Sequence, residues 1–246
     1  MATILRRLLA ALPLVAMACS GVSQPPPGVD RAGAPGAPLT ASAPVSAAVS
    51  ASEPAASPNS SRPRIVFLGD SLTAGLGLLR AQAVPSLIQA RLDGEGYRYE
   101  VVNAGVSGDT SAGGLRRLAW SLEGDVQILV IELGANDGLR GLPVSELTRN
   151  LSEIVARARA RGITVVLTGM EAPPNYGPAY TSEFRRAFRE VADEHDVSFV
   201  PFYLDGVAGN PALNNADGIH PNIAGARVIE QTLWRALEPL LDRQDQ

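Results

Sequence analysis

The chain is short of the residues from which covalent and metallic cross-links are made. It holds one cysteine, Cys19, and two histidines, His195 and His220, among 246 residues. A single thiol excludes an intrachain disulfide, and this donor set leaves no structural zinc site. No run of Lys or Arg occurs and the formal net charge is −4, which argues against nucleic acid as a partner. No Gly-x-x-x-x-Gly-Lys segment is present, so Gly69 to Gly77 is not a nucleotide phosphate loop. From Ser20 to Pro63 there is no aromatic residue at all, and 32 of those 44 residues are Pro, Ala, Ser or Gly. A segment of that kind buries too little apolar surface to offset its ordering entropy.

The ends differ from the middle. Arg6 and Arg7 precede an apolar stretch, Leu8 to Ala18, that closes on Ala16-Met17-Ala18. A basic start, a brief apolar core too short for a membrane span, and small residues before a cut site predict a signal peptide over residues 1–18. Cys19 stands where bacterial lipoproteins carry the lipidated cysteine of the lipobox, which it resembles, although Ala16 replaces the usual leucine. A plain signal peptide with an incidental cysteine is the other reading. Residues 19–63 then form a lipidation site and a disordered Pro/Ala/Ser-rich tether, with a root-mean-square span of roughly 35–40 Å as a coil. The expectation is a bacterial cell-envelope protein held to a membrane through a lipid anchor at Cys19, its folded domain in the periplasm, or otherwise a secreted one.

Residues 64–246 carry the fold. Short β-branched runs at Arg64–Leu68, Tyr97–Val102, Val126–Leu133, Ile163–Thr168 and Val197–Pro201 alternate with helical spacings. The third and fourth are almost wholly apolar, as suits parallel strands covered on both faces. Leu147, Leu151, Ile154, Val155 and Ala158 fall on one helical face, with Gly162 ending that helix. Phe184, Ala187, Phe188, Val191 and Ala192 repeat the pattern, and Pro221 is placed to begin a last helix. The alternation predicts an α/β protein, a three-layer α/β/α sandwich around a parallel sheet.

In such sheets ligands sit outside the carboxyl ends of the strands. Gly69-Asp70-Ser71-Leu72 follows the first strand, Asn103-Ala104-Gly105-Val106-Ser107-Gly108-Asp109-Thr110 the second, Gly134-Ala135-Asn136-Asp137 the third, and Asp217-Gly218-Ile219-His220-Pro221 lies beyond the fifth. A free serine hydroxyl is a weak nucleophile and needs a base. His220 can take the Ser71 proton, and Asp217 can hold the other ring nitrogen. Three donors are available for an oxyanion: the backbone N–H of Ser71, the backbone N–H of Gly105, and the side-chain amide of Asn136. Ser107 is a rival nucleophile that lacks the Gly-x-Ser-x-Gly elbow. Asp70 is read as a support for its turn, and His195 as a solvated helix C-terminal cap. Glu132, a carboxylate inside an apolar strand, either braces the rim or faces out at the sheet end.

These four blocks, in order, resemble those of SGNH (GDSL) hydrolases. Val130-Ile131-Glu132-Leu133 and Gly169-Met170-Glu171-Ala172-Pro173-Pro174-Asn175-Tyr176-Gly177 resemble the arylesterase and lysophospholipase L1/thioesterase I subgroup. The resemblance runs through the chain after Arg64. It implies a flavodoxin-like five-stranded sheet, no metal and no cofactor, and roles for Ser71, Gly105, Asn136 and His220 with Asp217 as the histidine's partner. It also implies acyl-ester, thioester or lysophospholipid substrates held near Asn136–Leu139, with Leu139, Pro173, Pro174 and Tyr176 about an acyl pocket. Two other functions fit the residues less well: an acetylesterase acting on acetylated envelope polysaccharide, and a lipoprotein that binds lipid or a partner without catalysis.

Overall fold

Each of the five β-branched runs contributes a strand, and all neighbours pair in parallel. The computed structural model describes residues 62–242. The expected signal peptide (1–18), Cys19 and nearly all of the expected tether (19–63) lie outside the described residues. The strands are β1 (Arg64–Gly69), β2 (Glu100–Gly105), β3 (Val126–Glu132), β4 (Thr164–Thr168) and β5 (Ser198–Val200). Their order across the sheet is β2-β1-β3-β4-β5, the flavodoxin-like arrangement.

The helices are α1 (Ser71–Ala74), α2 (Val84–Glu95), α3 (Ser111–Ser121), α4 (Ala135–Leu139), α5 (Val144–Arg159), α6 (Gly177–His195) and α7 (Ile223–Leu237). α2 packs on α7, while α5 packs on both α3 and α6. Right-handed crossovers put the first pair on one face of the sheet and the trio on the other, completing the three layers. The faces read from spacing are the buried ones. Leu147, Leu151, Ile154, Val155 and Ala158 of α5 are all buried, as are Phe184, Ala187, Phe188, Val191 and Ala192 of α6. Past α5, Gly162 adopts a left-handed φ of 74° and lets the Ile163 N–H return to the Ala158 carbonyl.

Two elements differ from the sequence reading by more than a single residue at an end. The second strand begins at Glu100 rather than Tyr97 and runs on to Gly105, because Tyr97 is still engaged in closing α2, donating its N–H to the Leu92 carbonyl. Pro221 does not open α7. It pairs with Asn214 in an isolated bridge, and Asn222 caps the helix by accepting from the N–H groups of Ala224 and Gly225.

The aromatic side chains of α6 anchor the three-helix face, with Phe184 and Phe188 edge to face at 5.4 Å and both fully buried. Phe188→Ala should therefore destabilise the domain by about 3–5 kcal/mol, read as a lowered urea midpoint at unchanged m.

Candidate active site

Ser71 owes its position to an abrupt stop. β1 ends at Gly69, Asp70 caps the single turn of α1 by accepting the Leu72 N–H at 3.0 Å, and Gly75 terminates it in the left-handed region. Ser71 is the first residue of that turn, so its N–H lacks an intrahelical partner. Gly69 is required on steric grounds: a Cβ there would collide with Thr73 Oγ1 and lie 2.7 Å from Glu132 Oε2.

The acid and base reach Ser71 from the far end of the chain. Ser71 Oγ lies 2.9 Å from His220 Nε2, and His220 Nδ1 lies 2.8 Å from Asp217 Oδ2. The other Asp217 oxygen accepts the backbone N–H groups of Ile219 and His220, each at 2.9 Å. Those bonds, led by the His220 N–H, hold the Asp217 carboxyl down to about 2. The loop is fastened in turn by the Asn215 N–H, which donates to the His220 carbonyl, and by the Asn222 amide, which donates to Ala212 and Asn214.

The oxyanion side departs from expectation at one residue. Gly105 is the last residue of β2 and its N–H donates to Asn103 Oδ1 at 3.0 Å, so it is not aimed at the serine. A glycine is needed there for a different reason: a Cβ would run into the backbone of Ala74. The glycine of this loop that lines the cavity beside Ser71 is Gly108, at φ 84°. Among the described residues, neither the Ser71 nor the Gly108 N–H has a protein acceptor. Arg140 donates to the Gly108 carbonyl at 2.9 Å and fixes that peptide. Asn136 also lines the cavity; its amide gives one hydrogen to Asp70 Oδ2 at 2.9 Å and keeps a second.

Two groups, Arg117 and Asp137, were not foreseen in these roles, and a third, Glu132, takes one of its two expected alternatives. Arg117 of α3 donates to the Gly69 carbonyl at 2.7 Å, to the Ala104 carbonyl at 2.6 Å and to Asp109 at 2.6 Å, tying together the ends of β1 and β2. Nothing in its helical surroundings marks it, since its partners come from two strands. Asp137 accepts from the Ser111 N–H and hydroxyl, anchoring the start of α3. Glu132 braces the rim rather than facing out: Oε2 accepts from the N–H groups of Asp70 and Thr73 and from the Thr73 hydroxyl. Burial lifts its carboxyl well above the usual glutamate value, and the neighbouring Asp70 charge adds to the shift. Burial likewise lifts Asp70 to about 6, against the bonds from Leu72, Asn136 and Glu132.

Beside Ser71 opens a cavity of about 300 Å³. Leu139 and Pro173 line it as expected. Tyr176 does not: it stands behind Leu139, donating its hydroxyl to the Leu139 carbonyl at 3.1 Å while its ring packs on Tyr180. The rest of the apolar wall comes from Leu72, Met170 and Ile219, which sit within the quoted segments, and from Leu76 and Leu204, which carry no motif. Ser107 lies on the rim, but the imidazole is committed to Ser71. His195 is not a solvated cap; it is half-buried, with Nε2 2.6 Å from Ser152 Oγ between α6 and α5.

Because the Asp217 pKa is depressed from 3.8 to about 2, its charge is present above the unfolded value and lost only as pH falls through about 2. Asp217 thus stays ionised throughout the working range of an esterase assay. Asp217→Asn should lower kcat on the order of 10²–10⁴-fold at any pH well above 2, where the wild-type carboxylate is charged.

The geometry has known counterparts. Residues 67–228 match the model of the GDSL-like Lipase/Acylhydrolase family. The chain is 47% identical to "Esterase TesA" of Pseudomonas aeruginosa over 178 residues, covering 72% of this chain and 89% of that protein. It is 34% identical to "Thioesterase 1/protease 1/lysophospholipase L1" of Escherichia coli, covering 72% of this chain and 85% of that one. The crystal structure of psychrotrophic esterase EstA from Pseudoalteromonas sp., inhibited by monoethylphosphonate, superposes with a TM-score of 0.69 at 34% identity, covering 72% of this chain and 97% of that one. With a serine, a histidine and an aspartate in hydrogen-bonded series at the mouth of an apolar cavity, the chain belongs to the GDSL-like lipase/acylhydrolase family and is a serine hydrolase of ester bonds.

Proposed function

We propose that Ser71 is the nucleophile, His220 the general base and then acid, and Asp217 its orienting partner, in a two-step acyl transfer. The observation that carries this reading is the chain of short contacts, 2.9 Å from Ser71 Oγ to His220 Nε2 and 2.8 Å from His220 Nδ1 to Asp217 Oδ2. Ser71 Oγ attacks the ester or thioester carbonyl as its proton passes to His220 Nε2. The tetrahedral oxyanion is met by the free N–H groups of Ser71 and Gly108 and the second amide hydrogen of Asn136. Collapse expels the alcohol or thiol, protonated by His220, and leaves an acyl-enzyme. Water, deprotonated by the same imidazole, then releases the acid.

The substrate class follows from the wall. Leucines, Met170, Pro173 and Ile219 favour an aliphatic or aryl acyl group over a sugar, which supports carboxylic esters, acyl thioesters or lysophospholipids rather than acetylated polysaccharide. The names of the P. aeruginosa and E. coli relatives point the same way. Ser71→Ala should reduce p-nitrophenyl ester hydrolysis on the order of 10³–10⁶-fold and abolish fluorophosphonate labelling, and Asn136→Ala should lower kcat about 10²–10³-fold. Wild-type turnover by Ser71→Ala would remove the proposal. In a chain-length series, acyl esters should be preferred over acetyl-xylan.

We also propose that the enzyme works in the bacterial envelope, tethered to a membrane through a lipid on Cys19. The support is the sequence: a basic start, an apolar stretch, small residues, then Cys19 ahead of a Pro/Ala/Ser-rich segment. Labelled palmitate should be incorporated by cells expressing the full chain and not by the Cys19→Ser variant; equal incorporation by both would exclude the anchor.

A further inference from the structure

Beneath the nucleophile lie two carboxyl groups that the acyl-transfer steps leave unused. Glu132, the last residue of β3, is fully buried. Its Oε2 accepts from three donors: the Asp70 N–H at 3.2 Å, the Thr73 N–H at 3.2 Å and the Thr73 hydroxyl at 2.7 Å. Its Oε1 is buried with no donor turned toward it. Asp70 is buried as well, with Oδ1 accepting from the Leu72 N–H and Oδ2 from the Asn136 amide.

Two adjacent carboxylates cannot both stay charged out of water without a cation between them. None is present among the groups that face the pair. The Arg117 guanidinium is turned to the carbonyls of Gly69 and Ala104 and to Asp109. Thr73 and the buried Tyr203 hydroxyl are neutral, and His220, the remaining titratable group that acts on Asp70, is engaged by Ser71 and Asp217. One of the two carboxyls therefore holds a proton, and the bonding decides which. An ionised Glu132 would leave Oε1 as an anionic oxygen with no donor. A protonated Oε1 becomes a donor itself, with the neighbouring Asp70 carboxylate as the acceptor within its surroundings. Asp70, by contrast, has the partners of a carboxylate: an N–H, an amide and the Glu132 hydroxyl.

We propose that Glu132 is a positioning residue that keeps a proton on Oε1 and shares it with Asp70, so that Asp70 stays the ionised acceptor that orients the Asn136 amide and caps the Ser71 turn. The inference rests on the reading of Ser71 as nucleophile and Asn136 as an oxyanion donor. It explains why Gly69 has no side chain, since a Cβ would occupy the space of the Glu132 carboxyl and Thr73. Burial acting on both carboxyls supports the shared proton. Glu132 does not line the cavity; it acts through Asp70, Asn136 and the turn.

Infrared difference spectroscopy of the wild-type protein at neutral pH should show the C=O stretch of a buried protonated carboxyl, and Glu132→Gln should lose that band. The amide introduced by Glu132→Gln would mimic the protonated acid, with an N–H toward Asp70 and a carbonyl toward Thr73, so kcat should stay within about threefold of wild type. Glu132→Leu, which has neither, should lower kcat about 10–100-fold with KM within about twofold, as expected when transition-state contacts alone are disturbed. A wild-type spectrum without the band overturns the proposal, and so does a Glu132→Gln enzyme as impaired as Glu132→Leu when both melt as the wild type does. Wild-type kcat in Glu132→Leu would overturn it too. If Glu132→Leu does not fold, the wild-type spectrum and the Glu132→Gln variant still decide. Active Ser71→Ala with the band present would sink the nucleophile assignment instead, so the two failures are distinguishable.

Discussion

The parallel pairing of β1 with both its neighbours is the constraint on which the site depends. Gly69 is in register with Gly105 on one side and with Glu132 on the other. That row ends β2, β1 and β3, and the loops that carry Gly108, Ser71 and Asn136 leave it in the same direction. An antiparallel neighbour would send one of those loops to the opposite edge, roughly 20 Å away for a six-residue strand. The meeting of Ser71, Gly108, Asn136 and the carboxyl pair is thus set by strand register before any side chain is chosen. Arg117 reinforces the row by holding the last carbonyl of β1, that of Gly69, and the penultimate one of β2, that of Ala104, with one guanidinium.

Much of this was legible in the sequence because the informative signals are local. Runs such as Ile128-Leu129-Val130-Ile131 announce buried parallel strands, and the spacing in α5 and α6 marked their inward faces without error. The triad could be read because Ser71 ends a strand run and Asp217 and His220 share one short loop. What escaped is non-local. Gly105 and Gly108 sit three apart, one ending β2 and the other in the loop after it, and only the strand's true end, three residues beyond the expected one, tells which N–H is spent inside the structure and which is free. Tyr176 belongs to the right segment, yet the hydroxyl's bond to the Leu139 carbonyl keeps it behind the cavity wall. Leu76, Leu204 and Ile219 enter that wall from three separate loops, which no spacing rule unites. The expected anchor and tether rest on composition and motif alone and lie almost wholly outside the described residues.

The floor of the site is polar in a part of the fold that is otherwise apolar. Glu132 ends a strand whose preceding residues are among the most buried in the chain, and its oxygen replaces the water that would otherwise satisfy the N–H groups of Asp70 and Thr73. A hydrophobic residue at that position would pack as well but leave two backbone donors stranded, at a cost of about 1–3 kcal/mol each. Local stability and the shape of the reacting centre are here served by the same hydrogen bonds.

The turn formed by Asp217 to His220 has a wider consequence. One carboxylate oxygen closes the backbone of the turn and the other grips the imidazole, so acid and base are assembled within four consecutive residues. Of the two contacts in the triad, only Ser71 with His220, 149 positions apart, must be won by folding of the whole domain. Insertions or deletions between the fifth strand and this turn can therefore alter how the pair is presented without ever separating its members. That connection can be lengthened and reshaped, and with it the entrance to the cavity, while the Asp217–His220 pair travels along intact.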